Sequence, residues 1–418
     1  MIPLPHGGHL IDRRLSPGTA ARRREEIDDL PSLRVETEQA LDAGQIGTGA
    51  YSPLTGFMDR EVLTSVLEHR RLPDGLPWTL PILLTPPGDA NRRGIDRLRI
   101  GEEVLLRGPR DEPVALLRLR ERFAVPRTEI ARQVYGTTDP THPNISDLLR
   151  SGDVALAGPI ETWPAEPGAR SPYELTPREA RQEFQRRGWS SVVGYQTRNV
   201  PHRAHEYLQR MALEREDVDG LFLHPVIGRL RPGDYRAEIV VRAFEQLLAN
   251  YLPQDRALLA TLAIGMRYAG PRAAVFLAIV RKNFGCSHYI VGRDQAGIGD
   301  FYAPYASQLI FDELPVGVVP LRFPESFFCR RCDGISTSKT CPHPASEHES
   351  ASQTRIRTAI REGQPLPRGL LRPEIAQMLL REGELALHLP PPPTVTVRPR
   401  AVPAGIGAAP VPAPPGPP

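Results

Sequence analysis

Between about residue 170 and residue 315 the chain alternates strand-like and helix-like segments, and this rhythm constrains the fold more than any other feature. Ser190–Gln196, Leu221–Ile227, Leu258–Ile264 and His288–Gly292 are short apolar runs of strand character. Between them lie residues 202–216, with Ala204, Tyr207, Leu208 and Met211 at helical spacing, then Arg236–Leu252, then Pro271–Phe284 with Pro at its first position. Such alternation predicts an α/β unit with an open, parallel, doubly wound, Rossmann-like sheet. A ligand would then bind beyond the carboxyl ends of the strands.

A chain of 418 residues is long for one core, so two or three domains are expected. Over residues 31–168 the pattern is short apolar runs broken by turns: Trp78–Leu84, Glu103–Arg107 and Val114–Leu119. The last two flank Gly108-Pro109-Arg110-Asp111-Glu112-Pro113, which predicts a hairpin in a β-rich, barrel-like domain. Residues 169–315 form the parallel-sheet unit, and 316–388 a small α/β unit with helices near 351–362 and 372–382. Residues 1–30, polar and Arg-rich, read as loosely ordered; residues 389–418 read as a disordered Pro-rich tail.

A net charge of +3 gives no reason to expect nucleic acid or a membrane as partner. Lys occurs only at 282 and 339, so nearly every cation is Arg, which with 46 Pro fits the codon bias of a GC-rich genome. The presence of an Arg is therefore by itself no mark of function. No apolar run spans a bilayer, and Met1 to Leu15 lacks the apolar core of a signal peptide, so a cytoplasmic location is expected.

Three segments carry possible chemistry. Tyr195-Gln196-Thr197-Arg198-Asn199-Val200-Pro201-His202-Arg203-Ala204-His205-Glu206 joins a strand to a helix that Pro201 can open. Free N–H groups at a helix start suit phosphate. His202 and His205 share a face there, and Gln196 and Arg198 offer forked donors to a tetrahedral oxyanion. The plainer alternative is a helix-capping loop with two surface histidines; a metal site lacks an obvious third ligand. The second segment, Tyr289-Ile290-Val291-Gly292-Arg293-Asp294-Gln295-Ala296-Gly297, ends a strand in a glycine-bearing turn, which is either a ligand approach or a tight turn with an Arg–Asp pair. The third, Ser352-Gln353-Thr354-Arg355-Ile356-Arg357, is a phosphate grip or a simple helix cap.

Cys329-x2-Cys332-x8-Cys341-Pro342-His343 has the spacing and softness of a tetrahedral, structural Zn²⁺ site. His343 is the first choice for the fourth ligand and His348 the second. Cys286 stands apart and reads as core packing.

Together the segments resemble the ATP sulfurylase family. The matching stretches are Gln196-Thr197-Arg198-Asn199, His202-Arg203-Ala204-His205, Met266-Arg267-Tyr268-Ala269-Gly270-Pro271-Arg272 and Gly292-Arg293-Asp294-Gln295-Ala296-Gly297. Ser52-Pro53-Leu54-Thr55-Gly56-Phe57-Met58 and His224-Pro225-Val226-Ile227-Gly228 add to them, and the likeness runs from about 30 to 385. The resemblance implies a PUA-like N-terminal domain, a nucleotidyltransferase catalytic domain and a C-terminal zinc knuckle. It implies sulfate bound by Gln196, Arg198 and backbone at Ala296, and ATP bound by Gln196, Thr197, Arg198, Asn199, Gly292, Arg293, Asp294 and Gln295. Thr197, Arg198 and Asn199 would be catalytic, with His202 and His205 steadying the transition state and pyrophosphate.

The implied reaction is direct attack of sulfate on the α-phosphorus of ATP, with Mg²⁺ arriving on the nucleotide. A homo-oligomer, most simply a dimer, and an APS kinase or APS reductase as functional partner follow from the same likeness. Three departures stand out: Gln295 replaces the family's His, Gln353 replaces a Gly, and Pro201 follows Val200. Gln295 can hydrogen-bond but cannot carry charge, so a slower enzyme is expected. The alternatives are a paralogue acting on another oxyanion, or a catalytically weak nucleotide-binding regulator.

Overall fold

The computed structural model describes residues 2–166, 168–366 and 369–389. The expected Pro-rich tail lies, apart from its first residue, outside the described residues. The N-terminal sheet has six strands: β1 (Ser32–Arg34), β2 (Gly56–Phe57), β3 (Glu103–Arg107), β4 (Pro113–Arg118), β5 (Glu121–Ala124) and β6 (Val154–Thr162). Their order is β1-β3-β4-β6-β2, with β5 also on β6. β3 and β4 form the expected antiparallel hairpin, Leu105 opposite Leu116.

This region is less purely β than its turns suggested. Helices Thr37–Thr48, Arg60–His69 and Pro143–Arg150 pack around the sheet. Trp78–Leu84 is buried but joins the sheet only through a bridge from Leu84 to Leu156. Its apolar residues fill a core rather than a ladder.

Residues 2–30, expected to be loose, are instead a strap with widely spaced anchors. Pro17–Glu26 is a helix capped by Ser16. Ile2, His6, Leu15, Ala20 and Ile27 are buried. The backbone N–H of His6 donates to Asn283 Oδ1 at 2.9 Å, and Arg181 Nη1 donates to the Pro3 carbonyl at 2.8 Å. Single anchors separated by Arg and Gly leave no periodic apolar signature, so composition alone misleads here.

The second sheet is wholly parallel. Its strands are β7 (Val192–Tyr195), β8 (Gly220–Leu223), β9 (Ala257–Leu259), β10 (His288–Val291) and β11 (Val319–Arg322), in the order β11-β10-β7-β8-β9. The expected strand at 258–264 is cut short after Leu259, and only the bridge Val226 to Leu262 continues the pairing. The helices Arg203–Leu213, Ala237–Tyr251 and Pro271–Phe284 connect the strands as the alternation required.

Successive residues of these strands serve two cores, as the period of two demands. Val192, Phe222, Tyr289 and Val291 pack with Phe276 and Phe284 on one face. Val193, Leu221, Leu223 and Ile290 pack with Leu208, Phe244 and Ile356 on the other. The first core runs on into the N-terminal unit, where Tyr51 and Trp78 meet Phe276 edge-on, at 5.1 and 5.5 Å between ring centres.

After β11, a three-stranded antiparallel sheet of β12 (Ser326–Cys329), β13 (Gly334–Thr337) and β14 (His348–Ser350) precedes the helices Gln353–Arg361 and Pro373–Glu382. No helix among the described residues is long and apolar enough to cross a membrane.

Gly220 opens β8 directly beneath buried Trp189, and a Cβ there would lie 2.4 Å from the indole ring. Gly220→Ala is therefore expected to cost about 1–3 kcal/mol by overpacking. A thermal unfolding midpoint equal to that of the unaltered chain would contradict this.

Candidate functional site

β7 and β10 lie side by side, but the chain leaves them in opposite directions, β7 toward β8 and β10 toward β11. Their carboxyl ends thus form the crevice of a topological switch point. The two loops that follow, 196–202 and 292–297, border one cavity of about 340 Å³. Gln196, Thr197, Arg198, Asn199, His202 and His205 line it from the first loop. Gly292, Arg293, Asp294, Gln295 and Ala296 line it from the second.

The first loop ends in a helix cap. His202, not Pro201, stands at the cap, and its Nδ1 accepts the backbone N–H of His205 at 3.1 Å. A neutral imidazole that accepts at Nδ1 carries its proton on Nε2. The rings of His202 and His205 stack at 3.5 Å between centres, 16° from parallel. Burial lowers His202 to about 4, and burial together with the neighbouring His202 lowers His205 well below its ordinary value. Both rings are therefore neutral donors near pH 7, rather than the cations that a surface pair would offer.

Arg198 is held by partners that sequence reading did not single out. Its Nη1 forms an ion pair with the buried Asp234, and its guanidinium lies over Tyr268, 5.0 Å from the ring centre. Asp234 also accepts the backbone N–H of Arg231 at 2.9 Å and lies 3.6 Å from Arg357 Nη2. That same Nη2 donates to Asn199 Oδ1 at 2.5 Å. One carboxylate thus sets two arginines and, through Arg357, the amide of Asn199. The turn signal Arg231-Pro232-Gly233-Asp234, following β8 on the ligand side of the sheet, was the available clue.

The third segment divides into cap and brace. Ser352 caps the helix Gln353–Arg361 by accepting from the N–H of Arg355 at 3.4 Å. Arg357 reaches Asn199, and Gln353 Nε2 donates to the carbonyl of Val200 at 2.9 Å. Gln353 therefore braces the first loop. Glu206, also buried, takes a two-pronged pair from Arg372 at 2.7 and 2.5 Å, tying the helix start to the C-terminal unit.

The second loop has Asp294 and Ala296 in the left-handed region, at φ 53° and 57°, which non-glycine residues adopt at a cost. The carbonyl of Gln295 accepts Ser307 Oγ at 2.8 Å, and that of Ala296 accepts the N–H of Gly270 at 3.1 Å. Arg293 Nη1 pairs with Asp294 at 2.6 Å. The Arg–Asp pair of the plainer alternative is thus present, and it stands at the mouth of the same cavity.

Cys329, Cys332, Cys341 and His343 bring one ligand atom each within 4.8 Å of one another. The Sγ atoms of Cys332 and Cys341 are 3.8 Å apart, and His343 Nδ1 lies 3.4, 3.2 and 3.7 Å from the three sulfurs. A tetrahedron with metal–sulfur bonds of about 2.3 Å has edges of this length. This set can hold a metal ion. His348 stacks on Phe327 and places Nε2 3.4 Å from Cys341 Sγ, as a neighbour of the set. Cys286 is fully buried, away from it.

Residues 171–382 match the ATP-sulfurylase family and residues 3–164 match the PUA-like domain. A sulfate adenylyltransferase of Symbiobacterium thermophilum is 45% identical over 379 residues, covering 90% of this chain and 95% of that protein. One from Hyperthermus butylicus is 42% identical over 383 residues, covering 91% and 96%. Among solved structures, a hexameric APS kinase from Thiobacillus denitrificans superposes with a TM-score of 0.71 at 28% identity, covering 91% of this chain and 68% of that one.

The buried histidine pair carries a pH signature. His202 titrates at about 4 in the fold against an ordinary 6.5, so its stabilising contribution is present above about 6.5 and is lost as pH falls through about 4. Resistance to urea is expected to drop across that window. His202→Asn, which keeps a capping acceptor, should show a shallower drop; equal slopes would refute the assignment.

Proposed function

Because the chain belongs to the ATP-sulfurylase family, we propose that it is a sulfate adenylyltransferase, joining ATP and sulfate to adenosine 5′-phosphosulfate and pyrophosphate at the β7–β10 crevice. The observation that carries this reading is the convergence of both loops, with their Gln, Arg and His side chains, on one cavity. In the proposed step a sulfate oxygen attacks the α-phosphorus. The new P–O bond forms as the bond to pyrophosphate breaks in line, and no enzyme nucleophile intervenes. Catalysis is then positioning plus neutralisation of charge.

Gln196, Arg198 and the backbone of Ala296 take the sulfate in this reading. Thr197, Asn199 and residues 292–295 take the nucleotide. Thr197 Oγ1 accepts the N–H of Asn199 at 3.1 Å, which tightens the loop on either side of Arg198. The Nε2–H of His202 and the edge of His205 meet the pyrophosphate end as neutral donors, and Arg198 supplies the positive charge. Mg²⁺ enters with ATP. The three sulfurs and the imidazole of the C-terminal sheet hold a structural Zn²⁺, and that sheet brings Ser326 and Ser350 to the wall of the cavity.

Two measurements test these assignments. ATP–pyrophosphate exchange should depend on sulfate, and Arg198→Ala should lower it by about 10²–10³-fold; exchange indifferent to sulfate would remove the reading. Elemental analysis should find about one zinc per chain. Cys332→Ser should lose that zinc and unfold earlier, whereas equal metal in both proteins rejects the site.

A further inference from the structure

We propose that Arg281, buried beneath the β7–β10 crevice with no carboxylate partner, is a further determinant of anion binding, and that the tetrahedral dianion taken up in the cavity is its counter-charge. This rests on the sulfate reading above.

Arg281 lies in the last turn of the helix Pro271–Phe284 and is fully buried. A cation near the end of a helix suits the helix dipole, but the charged end of Arg281 points elsewhere. Its stem passes under Gly194, where a Cβ would come within 2.9 Å of Arg281 Cγ. Its Nη2 donates to the carbonyl of His224 at 3.0 Å, just past the carboxyl end of β8. The N–H of His224 in turn donates to the carbonyl of Tyr195, the residue before Gln196, at 2.9 Å. The guanidinium thus reaches the ligand side of the sheet, below the first loop. Tyr289 joins the two levels. It stands beside Gly194 in the sheet, and its hydroxyl accepts from Gln295 Nε2 at 3.0 Å and donates to Gln196 Oε1 at 3.5 Å. Both amides line the cavity.

Among the described residues nothing neutralises this charge. Nε and Nη1 have no hydrogen-bond partner, and no carboxylate pairs with Arg281. The titratable groups that face it are Tyr289, Cys286, Tyr51 and His224. Burial pushes Tyr289 and Cys286 up to about 12 and Tyr51 well above its ordinary value. Burial, and after it Arg281 itself, lowers His224 well below its ordinary value. All four are therefore neutral near pH 7, whereas a guanidinium keeps its proton in proteins. An unpaired buried charge is costly to keep. Neutral surroundings also leave its field little opposed, and in such a medium that field strengthens the binding of a nearby anion by about tenfold or more.

The test measures pyrophosphate release by the full chain at saturating ATP, with thermal unfolding to confirm that each variant is folded. Arg281→Met removes the charge and keeps much of the volume. It should raise KM for sulfate about tenfold, with kcat changed by less than about threefold. Perchlorate is a tetrahedral anion of single charge. As an inhibitor competing with sulfate it should lose only about threefold, because the attraction scales with charge; a merely structural distortion weakens both anions alike. Arg281→Lys keeps a charge that can be titrated. Burial lowers the pKa of a lysine, so KM for sulfate in this variant should rise about tenfold between about pH 6.5 and 9.5, relative to the unaltered chain. That profile decides the matter if the Met variant does not fold. An unchanged KM for sulfate in Arg281→Met, equal losses for sulfate and perchlorate, or a flat relative profile in Arg281→Lys overturns the proposal. Absence of sulfate-dependent release in the unaltered chain defeats the functional reading instead.

Discussion

The pairing of β7 with β10 is the constraint on which the site depends. These strands are about 100 residues apart in sequence, yet Val193 stands opposite His288 and Gly194 opposite Tyr289. Close packing makes that register specific. A Cβ at Gly194 would fall 2.9 Å from Arg281 Cγ and 3.1 Å from Cys286 Sγ, so no other residue lets the sheet rest on this helix without displacing one of them. Because parallel strands point the same way, the loops after β7 and β10 open on the same side, and donors from both meet around one volume.

Charge is then distributed outward from Asp234. It holds Arg198 directly and Arg357 at longer range, while Arg231 follows from the same turn. Arg231 and Arg229 both pair with Asp147 on the helix Pro143–Arg150, at 2.5 and 2.9 Å. Arg229 also meets Glu38, which lies 3.5 Å from the buried Arg267. An ionic lattice thus runs from the N-terminal unit to Arg198 at the wall of the cavity. Buried pairs of this kind contribute little net stability, but they resist the loss of any one member strongly. Their use here is to hold guanidinium groups at fixed angles in the absence of ligand.

Much of this was legible in the sequence, and the limits have physical causes. The helix Pro271–Phe284 declares itself through Pro at its start and Gly285 at its end, where φ is 107°. The two loops that border the cavity were recognisable because glycine, histidine and arginine cluster where apolar runs stop. Asp234 was not, since it meets Arg198 across 36 residues and only the fold closes that gap. Arg357 meets Asn199 across 158. Side-chain pairing between distant elements leaves no periodic trace. The N-terminal strap was missed for a related reason: isolated contacts such as His6 with Asn283 are strong locally and invisible to composition.

The segment 386–388 is laced along the turn that carries Asp234. His388 accepts from the N–H of Gly233 and donates to the carbonyl of Asp234, at 2.8 and 2.7 Å, and Arg236 donates to Ala386 at 3.0 Å. Tyr235 and Leu387 complete an antiparallel bridge. Residues 386–388 therefore brace, along the backbone, the turn whose carboxylate orients Arg198. The same ladder makes the position of Asp234, and through it that of Arg198, depend on residues 386–388 of the C-terminal unit.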